Sequence, residues 1–309
     1  MNGTPADHGG TSPRILNPKT VKAVALDLDG TALLPGNTLS PKTVKVLKTC
    51  MEKGVAVIIA TGRAVDAAEK YRLAIGAEGP MVYFNGAEVV DMPSRRLLSA
   101  ALLDRETAVF CAELSRSMGV HFQVFLSGRG KKAGTGSDGE FSPVLDAEIL
   151  LIEKESPEAE MYRGHTGLLP VVGDIAKALS APGSGCVKGM FIADPALHGA
   201  ISRKISGRFG NGAAVVRTYP TFLEVLNPGV SKGEGLKTAL LCRGVNPEDT
   251  VALGDEENDL SMFAAAGFSA APANAREQVR KAADRVIGAN SEDGAAAFLE
   301  ELLSQRSGP

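Results

Sequence analysis

No sign of charge dominates this 309-residue chain: 33 lysines and arginines stand against 36 aspartates and glutamates, a net charge of −3 at pH 7. That balance gives no electrostatic case for a nucleic-acid partner. Long apolar runs are lacking too, so nothing in the sequence reads as a membrane span. Cysteine is scarce. Cys50, Cys111, Cys186 and Cys242 are scattered, with no CxxC or Cys/His cluster, which argues against a zinc site. Their apolar neighbours predict four buried thiols, and a reducing cytoplasm fits them. No internal repeat is found. What is present is a soluble globular composition, 44% apolar and 22% charged, long enough for two domains. Residues Met1 to Pro18 are rich in Gly, Pro, Thr, Ser and Asn and lack the apolar core of a secretion signal, so they read as a disordered lead-in.

The stretch Val24-Ala25-Leu26-Asp27-Leu28-Asp29-Gly30-Thr31 organises the rest. Its apolar half predicts a short strand buried on both faces, as in a parallel sheet. Ligands in open α/β sheets sit beyond the carboxyl ends of the strands. Asp27 and Asp29 therefore belong in a cleft. On extended chain they would face opposite ways, so the chain must bend after Asp27, and Gly30 supplies the freedom. Once bent, one carboxylate can attack phosphorus and the other can give a proton to the leaving oxygen. The plainer reading is a helix cap and turn.

Two more predicted strands end in the same way. Val55 to Ala60 runs into Thr61-Gly62-Arg63 ahead of a helix, an arrangement suited to an anion. Thr250 to Leu253 runs into Gly254-Asp255-Glu256-Glu257-Asn258-Asp259. A third, Met81 to Phe84, meets Asn85-Gly86, which reads first as a hairpin turn and second as a cleft element. Three carboxylates converging near Asp27 would repel one another unless a cation sat among them, and magnesium suits such oxygen ligands. Lys232, after Ser231 at a helix start, opposes the helix dipole, a misfit that favours a role on phosphate. Lys188 is its rival.

Between Asp91 and Leu226 the rhythm changes to strands with few helices and equal numbers of basic and acidic residues. This predicts an inserted α+β unit on an antiparallel sheet. Gly128 to Gly139 is glycine-rich without the lysine and hydroxyl of a phosphate loop, and reads as a mobile hairpin tip. His121, His165 and His198 read as structural or solvent-facing. Residues His121 to Phe125 and Thr218 to Thr221 are candidate specificity positions.

Asp27-Leu28-Asp29-Gly30-Thr31, Thr61-Gly62-Arg63, Asn85-Gly86-Ala87, Ser231-Lys232-Gly233 and Gly254-Asp255-xx-Asn258-Asp259 together resemble the ordered motifs of the haloacid dehalogenase superfamily. More narrowly the chain resembles the Cof-type sugar-phosphatase branch with its large cap. The fold implied is α/β, a Rossmann-like parallel-sheet core over residues 19–87 and 227–309 with an α+β cap over 88–226. The resemblance implies an Mg²⁺-dependent phosphatase for small phosphorylated metabolites, most naturally sugar phosphates, with neither nucleic acid nor membrane as partner. It makes Asp27 the nucleophile and Asp29 the acid and base. It gives the metal to Asp27, the backbone carbonyl of Asp29, and Asp255, with Asp259 orienting its ligands. Thr61, Gly62, Lys232 and Asn258 would hold phosphate, and Leu28, Arg63, Asn85 and Gly86 complete the expected binding set. Ala32 departs from the leucine usual after the threonine, and Glu256-Glu257 makes the last motif unusually acidic. A phosphohexomutase, a phospho-aspartate signalling receiver and a catalytically silent sugar-phosphate sensor are the competing readings.

Overall fold

The computed structural model describes residues 14–127, 129–135, 141–145, 148–181 and 184–306. Runs of small and branched apolar residues bounded by turn formers become buried strands. Five of them make a parallel sheet in the order Arg285–Ile287, Phe268–Pro272, Thr250–Leu253, Ala23–Leu26, Ala56–Ile59. The inner strand Ala23–Leu26 is fully buried, as the absence of polar residues along it requires. Leu26 pairs with Leu253 on one side and Ile59 on the other, so three strands stop level with one another. The residues that follow them must share one edge of the sheet.

Helices cover both faces. Pro41–Glu52 starts where Ser40 accepts a hydrogen bond from the Thr43 N–H at 2.9 Å, with Pro41 in the first turn, and it packs on Gly294–Arg306. Val65–Ile75 follows the second strand, and Lys232–Arg243 packs against Gly79–Tyr83 and against Leu260–Ala265. The expected strand after Pro80 is Gly79–Tyr83. It touches the parallel sheet through an Ala60–Val82 bridge, then pairs antiparallel with Glu88–Met92, which pairs with Arg96–Ala100.

The inserted region is built on sheets, as its pattern predicted, but on two of them. Arg96–Ala100 continues through Phe141–Leu145 to Arg129–Thr135, so one five-stranded sheet begins at Gly79 and runs past residue 88 without a break. A second, six-stranded sheet has the order Val171–Val172, Ile149–Ile152, His121–Leu126, Cys186–Ile192, Phe222–Leu226, Ala214–Tyr219, antiparallel except at its Val171–Val172 edge. Arg105–Met118 and Pro195–Phe209 cover it and share a separate apolar core with it. Of the glycine-rich segment, which was expected as a hairpin tip throughout, Arg129–Thr135 is itself a strand paired with Phe141–Leu145, while Gly128 and residues 136–140 lie outside the described residues.

Two expectations are corrected here. Cys242 is exposed, not buried, because it falls on the outer face of Lys232–Arg243; Cys50, Cys111 and Cys186 are buried. The lead-in is not free up to Pro18. Residues 1–13 lie outside the described residues, but Arg14 is held by Asp284 through its N–H at 2.8 Å and by an ion pair at 2.7 Å, and its guanidinium also reaches the Ala266 carbonyl. No helix among the described residues is long and apolar enough to cross a membrane.

Candidate active site

The strand ends meet as the register demands. Asp27 leaves the strand Ala23–Leu26 in extended conformation and stays buried. The chain then turns, and Gly30 is where it must be glycine: its φ is +76°, and a Cβ there would lie 2.2 Å from Asp255. Thr31 behind the turn donates to Asp255 at 2.8 Å. The turn thus fixes a carboxylate from a strand more than two hundred residues away.

Asp27, Asp255 and Asp259 are all buried, and each offers a carboxylate oxygen within 4.8 Å of the others. Lys232 is 1% exposed and donates to Asp27 at 2.6 Å and to Asp259 at 2.7 Å. Asp259 also accepts the N–H groups of Asp255 at 2.9 Å and Glu256 at 3.0 Å, so it ties the loop together. Three carboxylates against one ammonium leave the cluster short of positive charge. Burial, reinforced by the neighbouring acids, pushes Asp27 well above the usual carboxylate range against the pull of Lys232. The same causes push Asp255 up to about 7 and, with the two acids outweighing desolvation, hold the Lys232 ammonium more firmly protonated than a free lysine. An all-oxygen donor set in this state fits a hard divalent cation, because the cation supplies the charge the cluster lacks.

Asp29 turns away from this cluster. Arg63 grips both its oxygens, at 2.6 and 2.7 Å, and lies over the Tyr71 ring. Arg63 was expected on substrate, and its partner here is the proposed acid. Its remaining Nη1 is buried without a hydrogen-bond partner among the described residues. Thr61 is fully buried, and its hydroxyl accepts the Arg63 N–H at 3.1 Å, so it shapes the turn on which Arg63 stands. A Cβ on Gly62 would sit 2.9 Å from Asn85, which marks how closely that turn meets the next one. Leu28 buries its side chain in the core, so only its backbone is available to a ligand.

Asn85 and Gly86 are more than a hairpin turn. Asn85 has φ +59° and is buried, donating to Glu224 at 2.9 Å and accepting from Asn258 at 2.8 Å. Gly86 has φ +99°, and a Cβ there would lie 2.1 Å from the Ser231 carbonyl. Glu224 pairs with Lys188 at 2.7 Å, and Lys188 also donates to the Gly62 carbonyl at 3.1 Å. Both are buried, with the Lys188 ammonium 4.8 Å from the Phe125 ring centre. A chain Lys188–Glu224–Asn85–Asn258 therefore crosses from the six-stranded sheet to the parallel one. Lys188 is not the rival of Lys232 but the anchor of this crossing. Glu224 was missed; its only sequence signal was a carboxylate inside an otherwise apolar strand.

The other inserted candidates divide. Thr218, Tyr219 and His165 line the cleft beside Asp27 and Asp29. His121 does not: its ring nitrogens meet Gln123 at 3.1 Å and Ser156 at 2.9 Å, in a different part of the sheet. His198 is buried against the Ala193 carbonyl at 3.3 Å. Glu256, one of the two extra acids, is paired with Arg276 at 2.5 Å, which offsets its charge.

Comparison with known proteins places the chain in a family. Residues 24–299 match the family model of the haloacid dehalogenase-like hydrolases. A 5-amino-6-(5-phospho-D-ribitylamino)uracil phosphatase of Bacillus subtilis is 26% identical over 293 residues, covering 92% of this chain and 99% of its own. A phosphoglycolate phosphatase of Methanopyrus kandleri is 26% identical over 283 residues, covering 91% and 97%. A crystal structure of a haloacid dehalogenase-like hydrolase from Bacteroides thetaiotaomicron superposes with a TM-score of 0.77 at 24% identity, over 91% of this chain and 99% of that one.

Proposed function

The chain belongs to the haloacid dehalogenase-like hydrolases, and from that premise we propose that it is a magnesium-dependent phosphatase of small phosphorylated metabolites, sugar phosphates among them. Relatives named as phosphatases include one for phosphoglycolate and one for a ribityl phosphate, so kinship supports the reaction and leaves the substrate to the site. The observation that carries the reading is the buried cluster of Asp27, Asp255 and Asp259 around Lys232.

Asp27 is the nucleophile. Its carboxylate oxygen forms a bond to phosphorus as the bond to the leaving oxygen breaks, and Asp29 gives that oxygen its proton. Asp29 then takes a proton from water, the water oxygen bonds to phosphorus, and Asp27 is released with inorganic phosphate. Because Arg63 holds both oxygens of Asp29, carrying a proton requires Asp29 to give up one of those contacts. Lys232 fixes the direction of Asp27, while Asn258 and the Thr61-Gly62 turn border the phosphate. Asp27, Asp255 and the backbone carbonyl of Asp29 would hold Mg²⁺, with Asp259 keeping them in place. The ion's contribution is positive charge against the phosphoryl oxygens, in a reaction that needs mainly alignment and charge neutralisation.

The test is release of phosphate from p-nitrophenyl phosphate and ribose 5-phosphate by purified protein with Mg²⁺. Asp27→Asn and EDTA should each abolish it. Turnover at the wild-type rate in either case overturns the assignment.

A further inference from the structure

Ser40, Asp104, Ser156, Asp194 and Ser231 each accept an N–H from the first turn of the helix that follows it. That is the usual way of satisfying donors that have no partner inside a helix. Val65–Ile75 has Ala64 in that place, and alanine has nothing to accept with. Its cap comes from the inserted region instead. Glu148, directly ahead of the strand Ile149–Ile152, turns both carboxyl oxygens onto the helix: Oε1 accepts the Val65 N–H at 2.8 Å and Oε2 that of Asp66 at 3.1 Å. Arg95 adds an ion pair to the Asp66 side chain at 2.8 Å.

Two residues before the first of these N–H groups stands Arg63. It gives Nε and Nη2 to Asp29, and its Nη1 has no hydrogen-bond partner among the described residues. Its guanidinium lies 5.3 Å from the ring centre of Tyr71, which belongs to the helix that Glu148 caps. The aim of Arg63 is therefore set by the turn it stands on and by the helix it leans along. The inserted region holds both. Lys188 donates to the Gly62 carbonyl at 3.1 Å, one residue before Arg63, and Glu148 holds the helix start just after it.

We propose that Glu148 is a positioning residue for proton transfer: by capping Val65–Ile75 from the inserted region it fixes Arg63, and through Arg63 the carboxyl of Asp29. This rests on the phosphatase reading, in which the proton passes from Asp29 to the leaving oxygen as the bond from that oxygen to phosphorus breaks. Without the cap the first turn of the helix frays, and Arg63 shifts against Tyr71. Asp29 then loses its direction, while Asp27 and Lys232, held to each other, keep theirs. Such a loss is felt only where the leaving oxygen needs a proton. Phenolate is a poor leaving group and needs one, whereas p-nitrophenolate departs readily without it.

Glu148→Ala should lower kcat/KM for phenyl phosphate by about tenfold or more beyond any loss with p-nitrophenyl phosphate, an ester of nearly the same shape. Should that variant not fold, Glu148→Asp, one methylene too short to reach both N–H groups, is read in its place. Ala64 already has the extended backbone of a capping residue, φ −64° and ψ 156°, so Ala64→Ser gives the helix a cap of its own. Added to the Glu148 variant, it should recover most of the difference between the esters. Equal losses with both esters, or no loss, would reduce Glu148 to a fastening of the inserted region. A difference that Ala64→Ser leaves in place would overturn the route through the helix start. The Arg63 Nε–H signal in a nitrogen–proton NMR spectrum, identified by its absence in Arg63→Lys, needs no turnover. It should be sharp in the wild type and broadened or lost in the Glu148 variant, and an unchanged signal rejects the proposal. If the wild type hydrolyses neither ester, the phosphatase reading has failed, and the NMR signal alone decides whether Glu148 positions Arg63.

Discussion

Lys232 carries two burdens at one residue. Its ammonium is the counter-charge for two buried acids, and in the proposed mechanism it aims the nucleophile. Lys232→Met should therefore lower phosphate release by about 100-fold or more and also destabilise the chain, since removing one partner of a buried pair costs about 3–5 kcal/mol. Steady-state kinetics and a thermal melt check this together. A variant that melts like the wild type and only binds phosphate less tightly would reduce Lys232 to a simple anion contact. The sequence marked this lysine because a cation at a helix start sits badly with the dipole. It could not say that the side chain turns back onto Asp27 and Asp259, because those partners lie 205 and 27 positions away. Arg63 was misjudged for a similar reason: its partner Asp29 lies 34 positions back, and only the meeting of two strand ends brings them into contact.

The hairpin between Gly79–Tyr83 and Glu88–Met92 was legible as an element. Asn85-Gly86 is a turn signal, and a turn is there. What the local pattern did not contain was the use of that turn as a connector. With Gly86 pressed on the Ser231 carbonyl, Gly86→Ala should lower the melting temperature by several degrees, and a neutral outcome would mean the two segments can separate freely. The connector's other end is the Lys188–Glu224 pair, sandwiched between strands whose neighbours are apolar. Glu224→Ala should cost about 3–5 kcal/mol in urea unfolding by stranding a buried ammonium, whereas Lys188→Met with Glu224→Leu should cost much less. Strictly additive losses in that cycle would argue that the two charges do not depend on each other. Alternation and burial foretold the strands themselves; a charge pair across a sheet has no signature in either strand alone.

At the scale of the molecule, the inserted region is fastened to the parallel-sheet side in a second place. Glu148 accepts the N–H groups of Val65 at 2.8 Å and Asp66 at 3.1 Å, at the start of Val65–Ile75. Burial, with Glu88 nearby, pushes Glu148 from 4.5 up to about 8. The folded chain therefore holds this proton where the unfolded chain has lost it. Stability from this group is full below about pH 4.5 and declines as pH rises toward 8. Glu148→Gln should flatten that decline, and melting temperatures from pH 5 to 9 that fall in parallel for both proteins would speak against it. If the cluster holds Mg²⁺ as proposed, the ion should raise the melting temperature of the wild type by binding only the folded chain, and Asp255→Asn should remove most of that gain. The alternation of strand and helix at both ends, and the change of rhythm between them, were enough to read the layout. The Glu148 contact was not, because nothing near it in the chain announces a helix start 82 to 83 positions away. The strand Ala23–Leu26, finally, has one neighbour at Ala56–Ile59 and the other at Thr250–Leu253. During synthesis at 5–20 residues per second, its second edge waits about 10–45 s for a mate. Through that interval the nascent chain presents an open, wholly apolar ribbon.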